Sequence, residues 1–297
     1  MTQEQQRPVW RSLLYVPANN PKFIDKAHTR GADAIILDLE DACPMAERPK
    51  ARKMLAESVR TCSQAGADVT VRINHGDWEA DVDAGVISGV RAFFVAKSET
   101  PEQITALDKR ISELEHERGL PEGQIAFALM IESPGALRRA VEIATASNRA
   151  ISMTLGGEDF ATEMQFPPSP ETLELPKLLC LMAARETGLM ALGILGTVAD
   201  YSDLDAVQTM LARTRQFGFE GGSCIHPAIV PLLNAAFSPS SDEIAWAERV
   251  VTEYAKAQAD GLGAITIDGK MVDVPVAVRA QALLDRHRAI SIKNSGG

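Results

Sequence analysis

Short apolar runs rich in β-branched residues recur along the chain, at Ser12–Val16, Ala34–Leu39, Val69–Ile73, Ala92–Val95, Ile125–Ile131, Ala150–Thr154, Ala191–Leu195 and Gly221–Ile225. Between them the apolar positions switch to a spacing of three to four. A short run that is apolar on both faces predicts a strand buried on both sides, and the helical spacing after it predicts a crossover to the next parallel strand. Eight such units predict an α/β fold of the (β/α)8 TIM-barrel type, which typically needs about 250 residues. The competing doubly wound nucleotide fold would carry G-x-G-x-x-G after its first strand. Here the first strand leads instead into Val16-Pro-Ala-Asn-Asn-Pro21, whose last proline suits a helix start.

The barrel pattern ends near residue 238, and the remainder reads differently. Ser240-Ser241-Asp242-Glu243 has the form of a capping box, Ile244, Ala247, Val251 and Tyr254 recur at helical spacing, and Gly261 stops the helix. Ala264–Ile267 and Lys270–Val272 flank Asp268-Gly269, a two-residue hairpin signal, and Pro275 opens a final helix. The expected organisation is a catalytic barrel over residues 1–238 and a C-terminal helix–hairpin–helix lid over 239–297, packed on a neighbouring subunit.

Composition narrows the class of ligand. With 297 residues, 45% of them hydrophobic and 24% charged, the chain can bury a large core and is not a disordered or fibrous protein. Thirty Lys and Arg against forty Asp and Glu give a net charge of −10, so no general attraction to nucleic acid or an anionic membrane is expected. Positive charge for an anionic ligand must therefore be local. Cys43, Cys62, Cys180 and Cys224 form no C-x-x-C pair, which suggests neither a zinc cluster nor a disulfide scaffold. The polar start and the lack of about 18 unbroken apolar residues make a cytoplasmic location the expectation.

In a barrel of this kind the reactive groups stand at the C-terminal ends of the strands. The second strand exits into Asp38-Leu39-Glu40-Asp41, the third carries Arg72 and Asn74, the fourth leads to Lys97 and the fifth to Glu132. Gly156-Gly157-Glu158-Asp159 follows the sixth and His226-Pro227 the eighth. Mg²⁺ is usually held by one or two carboxylates together with water and substrate, so Glu132 and Asp159 from adjacent exits suffice for it; both also suit the starts of the helices that follow. Gly156-Gly157 allows the backbone to approach a ligand, and successive N–H groups there can hold a carboxylate, although an ordinary tight turn has the same sequence. Arg72 ends an apolar strand where a charge is costly unless paired; its planar fork suits a carboxylate or a developing oxyanion, and equally an ion pair with Asp38 or Glu40. Lys97 is a Schiff-base nucleophile only if buried, and otherwise pairs with Glu99 or a substrate anion. His226 reads as a backbone-bonded imidazole rather than a base.

These exits lie within longer motifs: Arg11-Ser-Leu-Leu-Tyr-Val-Pro, Gly31-Ala-Asp-Ala-Ile-Ile-Leu-Asp-Leu-Glu-Asp-Ala, Val71-Arg-Ile-Asn, Ile131-Glu-Ser-Pro-Gly, Gly156-Gly-Glu-Asp-Phe and Cys224-Ile-His-Pro. In this order they resemble the citrate lyase β-subunit-like family of CoA-ester lyases, and the likeness extends from about residue 10 to 290. The resemblance implies a Mg²⁺-dependent barrel, Mn²⁺ being a possible substitute, that cleaves or forms a carbon–carbon bond in a 3-hydroxyacyl-CoA. Malyl-CoA, β-methylmalyl-CoA and citramalyl-CoA are such substrates, giving a 2-keto acid and an acyl-CoA. It implies Glu132 and Asp159 as the metal carboxylates, Arg72 on the keto-acid oxygen, and the turn at Gly157 and Glu158 as the site of its carboxylate. It also implies Asp273 as the residue that a lid places over a neighbouring subunit's site, and a homo-oligomer, a trimer or dimer of trimers. The candidate set is then Arg72, Asp273 and Glu40 as catalytic, with Arg11, Lys97, Gly157 and Glu158 joining Arg72 in substrate binding.

The chain departs from the family at Ala191-Leu192-Gly193 and over Gly196 to Tyr201, a wall of the substrate pocket, which leaves the acyl group open. Two alternatives keep the same site: malyl-CoA thioesterase or malate-synthase-like chemistry, and the citryl-thioester lyase subunit of a citrate lyase complex. The second is disfavoured by a complete lid, since that subunit is expected to have a shorter tail.

Overall fold

The computed structural model describes residues 7–197 and 203–295; Val198 to Tyr201 of the divergent wall lie outside the described residues. The chain divides between Ala236 and Phe237 into two compact units. The first holds strands β1 (Ser12–Pro17), β2 (Ala34–Asp38), β3 (Asp68–Ile73), β4 (Val90–Val95), β5 (Ala126–Ile131), β6 (Ala150–Leu155), β7 (Met190–Ala191) and β8 (Gly222–Cys224). Its helices are α1 (Pro21–Ala27), α2 (Arg48–Cys62), α3 (Trp78–Gly85), α4 (Pro101–Glu117), α5 (Pro134–Arg138), α6 (Ala140–Thr145), α7 (Gly157–Glu163), α8 (Pro170–Glu186), α9 (Leu204–Gln216) and α10 (Val230–Ala236). The helix starts follow local chemistry: Thr100 and Ser169 accept backbone N–H bonds ahead of Pro101 and Pro170, and Ser169 with Thr172 closes a capping box.

The strands form one curled parallel sheet in the order β7-β6-β5-β4-β3-β2-β1-β8. Its two edges meet through a parallel bridge between Leu192 and Gly221, where the Gly193 N–H donates to the Gly221 carbonyl at 2.8 Å. This is a TIM-barrel-like fold, and all eight predicted strands are present. The seventh is shorter than the run Ala191–Leu195 because the backbone leaves the ladder early. Gly193 takes a φ of 144°, the Leu195 N–H bonds the Thr214 hydroxyl, and the carbonyls of Ile194 and Gly196 bond the Lys177 ammonium.

The interior of the sheet is filled by Trp10, Leu13, Ala34, Ile36, Ala92, Phe94, Ala126, Ala128 and Met130, large residues alternating with small. Each fully buried Leu, Ile or Phe contributes about 1.5–3 kcal/mol. The N-terminal ends of the strands are tied by buried charges. Arg11 clamps Asp33 with two bonds of 2.8 Å, and Trp10 donates to Asp68 at 2.7 Å. Arg11 therefore does not bind substrate as expected: it precedes β1 and stands at the opposite end of the sheet from the reactive rim, its guanidinium already matched by a carboxylate. Gly221 is required in this region, since a Cβ there would overlap the Trp10 carbonyl oxygen and lie 2.9 Å from its carbon.

The second unit contains α11 (Ser241–Ala259), the antiparallel hairpin β9 (Ile265–Ile267) and β10 (Lys270–Val272), and α12 (Val274–Ser295). Ser240 and Glu243 form the capping box of α11, and Asp268 and Gly269 both take positive φ in the hairpin turn. Ala247, Val250, Tyr254, Ile267, Val272 and Ala280 are its core.

Candidate active site

Strand alternation decides which side chains reach the inside of the rim. Positions two residues beyond an interior residue point the same way. From the interior residues Ile36, Thr70 and Met130 this places Asp38, Arg72 and Glu132 on the inner face at the strand exits. They line a cavity of about 720 Å³ together with Tyr15, Asp41, Thr154, Gly157, Glu158, Asp159, Lys177 and Ser223.

Arg72 is 8% exposed and held on all sides. Its Nε and Nη2 donate to the two oxygens of Asp38 at 2.7 and 2.6 Å, while Nη1 lies 2.9 Å from Glu40 and 3.1 Å from Asp41. The Tyr15 ring lies beneath, 4.9 Å from the guanidinium carbon. Asp38 is itself fixed by the N–H groups of Glu40 and Ala42. The ion pair that was one reading of Arg72 is thus present, yet the arginine still lines the cavity. Burial first, then the neighbouring Asp41 and Asp38, pushes the Glu40 carboxyl up to about 7 against the pull of Arg72.

Glu132 is 4% exposed and does not cap the helix that follows it; Ser133 does. The Glu132 carboxylate instead accepts the Lys97 N–H at 2.7 Å. Burial, with the charges of Asp159 and Glu40 nearby, pushes it up to about 8. Gly156 makes room for it: a Cβ there would overlap Oε1 and lie 2.6 Å from Cγ. Asp159 stands in the first turn of α7, and its nearest cation is Lys97, with Nζ 3.3 Å away. Lys97 is therefore partnered by Asp159 rather than Glu99, and it takes a φ of 49°.

A buried carboxylate whose charge is opposed by other carboxylates is a fitting ligand for a hard divalent cation. No group of three or more protein ligands for a metal occurs among the described residues. Mg²⁺ does not need one, since water and substrate oxygens complete its shell. Glu132 and Asp159 fit that role. The Gly157 and Glu158 N–H groups open α7, where the first turn leaves donors without intrahelical acceptors.

Two further residues singled out from the sequence have local backbone partners. Asp273 belongs to the second unit, where its carboxylate accepts the Val276 N–H at 3.3 Å as a cap of α12. His226 lines the cavity, with Nδ1 accepting the Ala228 N–H. Two features were not foreseen. Lys22, Lys26 and Arg30 also line the cavity, beside the exposed ring of Phe23. Their spacing of four residues was a legible signal of one helical face. Lys177 is the other, a charge in the buried stripe Leu173, Lys177, Cys180, Ala184 of α8.

The chain is similar to known proteins over most of its length. The family described as HpcH/HpaI aldolase/citrate lyase matches residues 11–227. Citrate lyase subunit beta of Leuconostoc mesenteroides subsp. cremoris is 34% identical over 292 residues, covering 97% of this chain and 96% of that protein. A (3S)-malyl-CoA thioesterase of Cereibacter sphaeroides is 32% identical over 287 residues, covering 95% and 96%. Among solved structures, CitE from Mycobacterium tuberculosis in complex with magnesium, acetoacetate and coenzyme A has a TM-score of 0.75 at 27% identity, covering 95% of this chain and 99% of that one. The first match removes the tail-length argument against a citrate lyase subunit, because that relative spans this chain almost end to end. With its family matched over the whole strand region and relatives aligned through both units, the chain belongs to the HpcH/HpaI aldolase/citrate lyase family.

Proposed function

We propose that the protein is a Mg²⁺-dependent carbon–carbon lyase that cleaves a 3-hydroxyacyl thioester, such as malyl-, β-methylmalyl- or citramalyl-CoA, into a 2-keto acid and an acyl-CoA, or runs the reverse condensation. The observation that carries it is the buried Glu132 beside Asp159, facing Arg72 across one cavity.

Magnesium held by Glu132 and Asp159 supplies positive charge for the oxygens of the substrate's 2-hydroxy acid portion. The backbone N–H groups of Gly157 and Glu158 hold the adjacent carboxylate. Arg72, fixed in direction by Asp38, stabilises charge as it develops on the hydroxyl oxygen. Glu40, on the other arm of Arg72, takes the hydroxyl proton, and its carboxyl near 7 suits that transfer. The bond between the carbinol carbon and the thioester's α-carbon then breaks, its electron pair passing into the thioester enolate. Asp273 protonates that α-carbon, and in condensation it removes the same proton. In this reading the second unit is a lid and the working assembly is a homo-oligomer. Lys22, Lys26 and Arg30 face the CoA phosphates, with Phe23 beside the adenine.

The similarity to citrate lyase beta subunits supports a second reading, the same cleavage on a citryl thioester. Thioester panels of malyl-, β-methylmalyl-, citramalyl- and citryl-CoA, assayed with Mg²⁺ and with chelator, test both. Mg²⁺-dependent release of keto acid with acyl-CoA is expected. Free CoA with the free 3-hydroxy acid, from hydrolysis of the thioester, would mark the thioesterase instead, and no turnover on any ester would overturn the proposal.

A further inference from the structure

Lys177 has no role in the chemistry above, and its surroundings call for one. It projects from α8 into the wall of the cavity and is 5% exposed. Its Nζ donates to the carbonyls of Ile194 at 2.7 Å and Gly196 at 2.5 Å, at the exit of β7. Two acceptors leave one of its three N–H donors unused. No carboxylate among the described residues lies within ion-pair distance, and Glu158 acts on it only through its field. Burial pushes the ammonium down to about 8. On its other side Nζ sits 3.6 Å from where a Gly157 Cβ would be, against the turn that opens α7.

The other inner cations of the rim are already matched. Arg72 faces Asp38, Glu40 and Asp41, and Lys97 faces Asp159. Lys177 is thus a buried cation of this cavity without a carboxylate partner among the described residues, unlike Lys22, Lys26 and Arg30, which line it without being buried. A buried charge without a counter-charge is costly, and the cost falls when a ligand brings one. Its two carbonyl bonds fix the ammonium in place, so an arriving anion meets a preorganised donor. The hydroxyls of Thr154 and Ser223 line the same cavity and offer further polar contacts.

We propose that Lys177 is a specificity-determining residue of this site, receiving a carboxylate on the keto-acid half of the substrate in addition to the one held at Gly157 and Glu158. The inference rests on the lyase reading and chooses within it: a keto acid with two carboxylates, as a citryl thioester releases, is preferred to the single-carboxylate keto acids of malyl-, β-methylmalyl- and citramalyl-CoA, and Lys177 is the reason.

Calorimetric binding of oxaloacetate and of pyruvate to the full-length protein, in Mg²⁺, tests this directly. Wild type is expected to bind oxaloacetate at least tenfold more tightly than pyruvate. Lys177→Gln keeps amide donors for the two carbonyls and removes the charge, and it should bring the two keto acids within threefold while leaving pyruvate affinity nearly unchanged. Lys177→Arg, which keeps the charge, should retain part of the preference. Equal affinity of wild type for both acids overturns the inference, as does a preference that survives in Lys177→Gln, which would make the lysine a tether alone. Those outcomes leave the lyase reading intact. Failure of wild type to bind either acid with Mg²⁺ would overturn both together. If Lys177→Gln does not fold, the wild-type ratio and the Lys177→Arg ratio still decide the matter.

Discussion

At the scale of single residues the site is a problem of charge compensation. Arg72 meets three carboxylates, and the bidentate pair with Asp38 aims its plane. A lysine keeps the charge but cannot reproduce a planar fork. Arg72→Lys should therefore fold, keep its Mg²⁺ affinity in a titration, and lose on the order of 10²–10³ in kcat, the usual loss on removing one oxyanion donor. Lys177 makes a prediction about stability. Its folded-state pKa of about 8 lies below its ordinary value of 10.5, so between the two the unfolded chain binds the proton and the folded chain does not. Raising pH through that window should stabilise the ligand-free wild type relative to Lys177→Met, as read by melting temperature across pH 7.5 to 10.5.

At the scale of elements the decisive junction is the turn between β6 and α7. Its backbone passes so close to the Glu132 carboxyl that only glycine fits at position 156, and the next three residues supply two N–H groups and Asp159. Gly156→Ala should displace the Glu132 carboxylate and abolish the stabilisation that Mg²⁺ gives, seen as a melting temperature no longer rising with added metal. Because the strands themselves are unaffected, the far-ultraviolet circular dichroism should remain that of wild type. Retained metal stabilisation would show that the carboxylate can shift without loss of the site.

At the scale of the whole molecule the net charge of −10 opposes an anionic thioester, so under the proposed function recognition would fall to local cations, for which the Lys22, Lys26, Arg30 face and the Lys177 ammonium are the candidates in the cavity lining. The second unit carries Asp273, and the proposed lid action makes a testable statement about assembly. Asp273→Asn should bind Mg²⁺ and fold, but lose exchange of the acyl-CoA α-proton in deuterated water. Co-expressed with Arg72→Lys, it should regain a measurable fraction of activity if the lid serves a neighbouring barrel, because some mixed sites then hold both intact residues. Absence of recovery in mixed oligomers would assign the lid to its own barrel.

Periodicity is a local property, and what depends on it was legible in the chain alone. The eight strand runs, the Ser240 capping box and the Asp268-Gly269 turn all follow from spacing of a few residues. Strand exits also marked Arg72 and Glu132, because the inner face repeats every second position, and Asp159 was marked by its place just after the glycine turn that follows β6. What joins residues far apart in sequence was decided by the tertiary structure. Arg11 and Arg72 are alike as arginines at strand ends, but one faces Asp33 at the N-terminal end and the other the reactive rim. Lys177 enters the cavity from a helix outside the sheet, and β7 stops early because that lysine and Thr214 take its backbone partners. The sequence determined which elements form and which face each presents; the register and curl of the sheet decided which charges meet, since pairing depends on distance through space and not along the chain.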